Sequence, residues 1–173
     1  MEKYKIIEDE FIDFYGQKLY RIIRIVDNVK GGFIESINNL SQEDNAWVSG
    51  NAKVFGNACV YGDARVHGNA KVFGNAEVSG NAKVYGDAEV YGDAKVSGNA
   101  ILKDVKIEKV IDFIIYGPIG SRNSFITICK EQDKISTGCF SGSKKEFLEA
   151  VEKTHSNNNH AQNYKKLIDF IFN

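Results

Sequence analysis

The residues best placed to do chemistry lie in the last third of the chain. Gly120-Ser121-Arg122-Asn123 and Gly138-Cys139-Phe140-Ser141-Gly142 are glycine-bounded turns that combine hydroxyl, amide and guanidinium donors. Backbone N–H groups at such turns, together with the planar fork of an arginine, hold a phosphate or carboxylate. Thr154 and His155, at the end of a predicted helix, extend the same set. Ser121, Arg122, Asn123, Cys139, Phe140, Thr154 and His155 are therefore the candidate ligand-binding residues. Two of them also have plainer readings, Arg122 in a surface ion pair and His155 as a helix C-terminal residue favoured by the dipole. Cys139 is a poor candidate nucleophile, because nothing in the sequence places a base beside it.

These turns need a scaffold. From Asn45 to Gly98 the hexapeptide [N/D]-A-x-V-x-G runs nine times without a gap, and Asn99 to Asp104 is a decayed tenth copy. A strict period of six marks a parallel β-helix, in which no unit buries enough alone and stacked units share one core. The β-branched valines from Val48 to Val96 suit short strands, and the alanines offer small inward side chains at the corners. Gly followed by Asn or Asp takes turn and positive-φ conformations at least cost. Three hexads close a triangle, so residues eighteen apart stack at a strand spacing of about 4.8 Å. Sorting the outward slots by eighteen puts Phe55, Phe73 and Tyr91 in one column, an apolar strip of the kind that marks an interface.

Three segments follow. Residues 1–33 alternate apolar and polar side chains around Tyr15-Gly16-Gln17-Lys18, which predicts a β-hairpin ended by Gly31-Gly32. Residues 34–110 form the β-helix of about four coils. Ile34 and Leu40 fall twelve and six residues before Ala46, in the inward small-residue slot, and the phase is lost after Asp104. Residues 111–173 form a small ββαα module starting around Pro118. Its strands are FITICK and ISTGCF, and its first helix opens on a Ser143…Glu146 capping box. The predicted fold class is mainly β, with an N-terminal hairpin and an α+β tail.

Composition narrows the partners. A net charge of -1, with five basic and five acidic residues inside the repeat, leaves no field for duplex nucleic acid. No run approaches a membrane span and the start does not read as a signal peptide, so the expected location is the cytoplasm. Cys59, Cys129 and Cys139 are odd in number and widely spaced, which argues against disulfides and a zinc site. No metal or cofactor is expected.

The pattern V-x-G-[N/D]-A-x resembles the hexapeptide-repeat family of left-handed parallel β-helices, and that resemblance supplies the handedness. Residues 31–52, YGPIGSRN at 116–123, GCFSG at 138–142 and KTH at 153–155 together resemble bacterial prophage proteins that join such repeats to this tail. The resemblance implies a mobile-element origin, a bacterial cytoplasm, and self-association as a trimer or dimer, but no agreed reaction. Acyltransferases of the hexapeptide family use a histidine base near a subunit interface and a loop thrown out of the prism. Here the repeats run without insertion and hold one histidine, His67, at an outward slot. The expected function is non-catalytic: an oligomeric binding protein that sequesters a phosphorylated or nucleotide host-defence signal or blocks a host-defence protein. A CoA-dependent acyltransferase and a structural scaffold are the alternatives.

Overall fold

The computed structural model describes residues 2–173 and divides the chain into two compact units, Met1–Val110 and Ile111–Asn173. In the first unit, β1 (Tyr4–Phe14) and β2 (Gln17–Arg24) form the expected antiparallel hairpin, turning through Tyr15 and Gly16 at positive φ. Gly31 and Gly32 do not end it. They lie inside a third strand, β3 (Lys30–Ile34), antiparallel to β2 on one side and parallel to Lys53–Val54 of the second repeat on the other. A Cβ on Gly31 would come within 2.5 Å of the Ile22 side chain, and one on Gly32 within 2.7 Å of the Ala52 carbonyl. Glycine here permits close packing rather than a chain break.

The repeats supply two- and three-residue strands: β4 (Trp47–Val48), β5 (Lys53–Val54), β6 (Cys59–Val60), β7 (Arg65–Val66), β8 (Lys71–Val72), β9 (Glu77–Val78), β10 (Lys83–Tyr85), β11 (Glu89–Val90), β12 (Lys95–Val96), β13 (Ile101–Lys103) and β14 (Lys106–Ile107). β3, β5, β8, β11 and β14 stack in parallel on one face, with β2 and β1 continuing that sheet. β4, β7, β10 and β13 make the second face, and β6, β9 and β12 the third, to which Leu40 adds a bridge at Val60. The result is a three-sided parallel β-helix of about four coils. Every repeat valine and alanine is buried, so the inside of the column is filled by side chains of two sizes. The nine repeat glycines all adopt positive φ. The Asn or Asp that follows has a second role beyond the turn. Asn57 donates to Asn75 and Asn75 to Asp93, at 3.1 and 3.0 Å, and Asn69 donates to Asp87 at 3.0 Å. Corner side chains are thus laddered from coil to coil.

Both ends depart from the eighteen-residue register. Ile34 pairs with Val54 and Leu40 with Val60, twenty residues apart, so both occupy the valine slot rather than the alanine slot expected from sequence. The two extra residues fall between Leu40 and Ala46. Asp44 secures them, accepting from the Ala46 and Gly62 amides, while Gln42 exchanges hydrogen bonds with Lys3 and Tyr4 of the hairpin. At the other end Leu102 pairs with Val84, but Ile107 pairs with Val90 seventeen residues away. The phase therefore persists past Asp104 with one residue fewer. Val105 takes the alanine position and is buried, and Asp104 replaces the turn glycine at positive φ.

Stacked outward slots also pair charges. Glu89 accepts from Lys71 at 2.9 Å and lies 3.3 Å from Lys106. The Lys71 hydrogen bond is the main reason its carboxyl titrates below the usual glutamate value. A depressed folded-state pKa stabilises the fold above the unfolded value, about 4.3, and the contribution is lost as pH falls through the lower folded value. Glu89→Gln should therefore lower the melting temperature at pH near 6. The gap to wild type should close as the pH is taken toward about 3. A gap unchanged across that acid range would show that the pair contributes nothing.

In the second unit, β15 (Ile114–Ile119), β16 (Ser124–Cys129), β17 (Lys134–Thr137) and β18 (Phe140–Gly142) form one antiparallel sheet in chain order. Four strands replace the two expected. In the sequence Pro118 marks a boundary, but β15 is an edge strand whose pairing is irregular between Tyr116 and Ile119, where a residue without an N–H is tolerated. The ISTGCF run splits at a turn through Gly138, giving β17 and β18. α1 (Lys144–His155) opens on the Ser143–Glu146 capping box, and α2 (Asn159–Phe172) is capped by Asn158. Ile119, Ile126, Ile128 and Ile135 of the sheet pack against Phe147, Val151, Tyr164, Leu167 and Ile168 of the helices.

Candidate functional site

The antiparallel order of the second unit brings its candidate residues to one end. The β15–β16 turn, Gly120 to Asn123, and the β17–β18 turn, Gly138 to Cys139, are on the same side of the sheet. α1 starts at the opposite side, where the Lys144 amide donates to Asp133 at 2.8 Å, and runs back to deliver Thr154 and His155 to the turn end. α2 then begins there, adding His160 and Tyr164.

The contacts sort these residues. The His155 ring lies 5.7 Å from that of His160 and 6.0 Å from that of Tyr164. Gly120 sits directly under the Tyr164 hydroxyl, where a Cβ would come within 2.0 Å of the oxygen. Burial pushes the Tyr164 hydroxyl pKa up, and the nearby Arg122 charge opposes that rise. Ser121, Arg122 and Asn123 are exposed on the turn. Thr154 is exposed beside half-buried His155, Cys139 is exposed on the separate turn, and Phe140 stacks edge-on to Phe147 at 5.5 Å as part of the module's core boundary. Arg122 and His155 thus share a neighbour in Tyr164, whereas Cys139 and Phe140 belong two strands away.

Beside this cluster a cleft of about 700 Å3 opens between the β15 edge and α2. Tyr116, Pro118, Ile119, Leu167 and Phe170 give it apolar walls, and Gly120, Asn123, His160, Asn163 and Lys166 give it polar ones. Of the seven residues selected from sequence, only Asn123 lines it. His160, Asn163, Lys166 and Phe170 were missed, although their spacing of three or four marks a second stripe on α2 beside its buried face. Tyr116 and Phe170 are exposed rings, at 50% and 84%. Aromatic walls, two amides, an imidazole and an ammonium can bind a planar group and an anion at once.

On the first unit the expected aromatic column is present. Phe55 and Phe73 stack 5.1 Å apart, Phe73 and Tyr91 5.2 Å apart, and Phe14 of the hairpin meets Phe55 edge-on at 5.5 Å. All three column rings are half-buried. His67 is exposed and stacks on Tyr85 at 4.9 Å. Burial, then the Lys83 charge, lowers its pKa. Among the described residues no group of three or more His, Cys, Asp or Glu side chains is arranged to hold a metal ion, and no helix is long and apolar enough to cross a membrane.

Fold and site together define a three-sided parallel β-helix joined in sequence to an α+β module that carries a mixed polar and aromatic cleft. No protein-family model matches the chain, and a search of the curated proteins finds no match.

Proposed function

We propose that this protein is a non-catalytic binding protein whose C-terminal module captures a small phosphorylated or nucleotide ligand. The supporting observation is the cleft between β15 and α2, where His160, Lys166, Asn123 and Asn163 share one space with Tyr116 and Phe170. The rings suit a base or similar planar group, and the ammonium, imidazole and amides suit phosphate oxygens. Arg122, on the adjoining turn, adds a guanidinium that can swing onto the ligand. In this reading the repeat column belongs to the left-handed hexapeptide class and is a rigid stem that self-associates along Phe55, Phe73 and Tyr91. In this reading the ligand is a host-defence signal held out of circulation, a proposal motivated by the resemblance of the sequence to prophage proteins.

Calorimetry of the purified protein with cyclic oligonucleotides and nucleotide-ribose signals tests this. We expect saturable heat with at least one of them, weakened at least tenfold by Lys166→Gln combined with Arg122→Ala. Absence of heat across the panel, or full affinity in the double variant, would refute it. Acetyl-CoA turnover that disappears in His67→Ala would instead point to acyl transfer.

A further inference from the structure

We infer that the first face of the β-helix carries a second anion site, independent of the C-terminal cleft, that takes a small phosphomonoester between Lys53 and Lys71. The slot preceding the inward valine on this face reads Lys53, Lys71, Glu89, Lys106 from coil to coil, with each residue in register with the next. Opposite charges alternate only in the lower half. Glu89 lies between Lys71, to which it is bonded, and Lys106, so three ammoniums share one carboxylate in this column. Lys53 donates to the Asn51 carbonyl at 2.9 Å. Like charges directly opposite in neighbouring strands repel. A dianion lying across the pair offsets that repulsion and adds charge-assisted hydrogen bonds to both ammoniums.

The surroundings shape a site around these charges. Strands of the N-terminal sheet place Ile12 and Phe33 alongside the two lysines, and the groove they enclose measures about 540 Å3. Both ammoniums approach the Phe14 ring, at 5.4 and 5.9 Å from its centroid, which holds them near one another. Arg21 lies over the Phe33 ring at 4.0 Å and donates to the Gly50 carbonyl, so a guanidinium adjoins one of the rings that line the groove. Asp87 and Glu89 also line the groove and repel an anion from their side of it. Burial, and then the Lys71 charge, lower the Lys53 pKa, as expected of an ammonium with a like charge beside it. The charge pattern selects phosphate oxygens, and Ile12 with Phe33 selects a compact apolar substituent on them.

The test uses the full-length protein with inorganic phosphate and phenyl phosphate as probes, read by thermal melting and calorimetry at an ionic strength held constant with sodium chloride. Both probes should raise the melting temperature by several degrees, with phenyl phosphate binding the tighter. Lys53→Gln should abolish the shift and weaken phenyl phosphate at least tenfold, with Lys71→Gln as the second variant should the first misfold. Probes and lysine variants are read in the Lys166→Gln, Arg122→Ala background, where the C-terminal cleft no longer contributes; the response should persist there, which separates this site from the one proposed above. The inference is overturned if Lys53→Gln responds like its parent, if chloride alone reproduces the shift, if the two probes bind equally, or if the response is lost in that background.

Discussion

Gly120→Ala is expected to destabilise the C-terminal module by about 2–5 kcal/mol and to abolish ligand capture at its cleft. Two separate costs add. Gly120 has φ +75°, and a side chain in the left-handed region costs about 1–2 kcal/mol. The new methyl would also stand 2.0 Å from the Tyr164 hydroxyl oxygen, and Tyr164 is fixed, packed edge-on to Phe147 with ring centroids 5.4 Å apart. Overpacking of that kind typically adds about 1–3 kcal/mol. Tyr164 has to move, and its neighbours His155 and His160 move with it, so the cleft is lost together with stability. The measurement is selective, since α1 and α2 are the only α-helices among the described residues and both lie in this module. Far-ultraviolet ellipticity at the helix band therefore follows this unit. A denaturation midpoint at the wild-type value would show that Gly120 and Tyr164 are not in contact.

Val72→Asp is expected to unfold the β-helix. Val72 is fully buried in the central coil and sits in register between Val54 and Val90. A carboxylate placed there meets only valine and alanine side chains, and an unpaired buried charge costs several kcal/mol. That is comparable to the whole stability of an ordinary domain, about 5–15 kcal/mol. Because coils touch only their neighbours, a fault in the middle separates the stack into two pieces, each with too few coils. The milder Val72→Ala should cost about 2 kcal/mol through lost burial and the cavity left behind. Trp47, the only tryptophan, is 9% exposed on the second face and packs edge-on to Tyr4, so its fluorescence follows this unit alone. Unchanged fluorescence unfolding in Val72→Asp would place that side chain outside the core.

The column was legible because the period does the work of a contact map: once three hexads close a turn, every neighbour of Val54 or Val72 is named by adding eighteen. Its ends were not legible, because a count of residues cannot see that Asp44 and Gln42 absorb an insertion through hydrogen bonds to Gly62 and Tyr4. The same limit explains Ile34 and Leu40. Their apolar character was recognised, but their slot depended on two residues further along the chain. In the C-terminal module the two helices and the capping box at Ser143 followed from spacing. Its edge strand did not, since Pro118 reads as a breaker unless the strand is known to have an unpaired side. The candidate ligand set was selected by residue type alone. That choice put Asn123 at the cleft and Arg122 and His155 beside Tyr164, spread to Cys139 and Phe140 two strands away, and did not include the stripe of α2 that faces the cleft.

The insertion after Leu40 and the deletion before Ile107 confine irregularity to the two extremities, and everything between them is interchangeable. Any eighteen-residue block presents a matching seam above and below, with valine over valine, alanine over alanine and an amide over an amide or a carboxylate. Unequal crossing-over that adds or removes one such block therefore joins surfaces that already match. Column height in this protein is free to drift by whole storeys in evolution, while the foundations and the roof stay fixed.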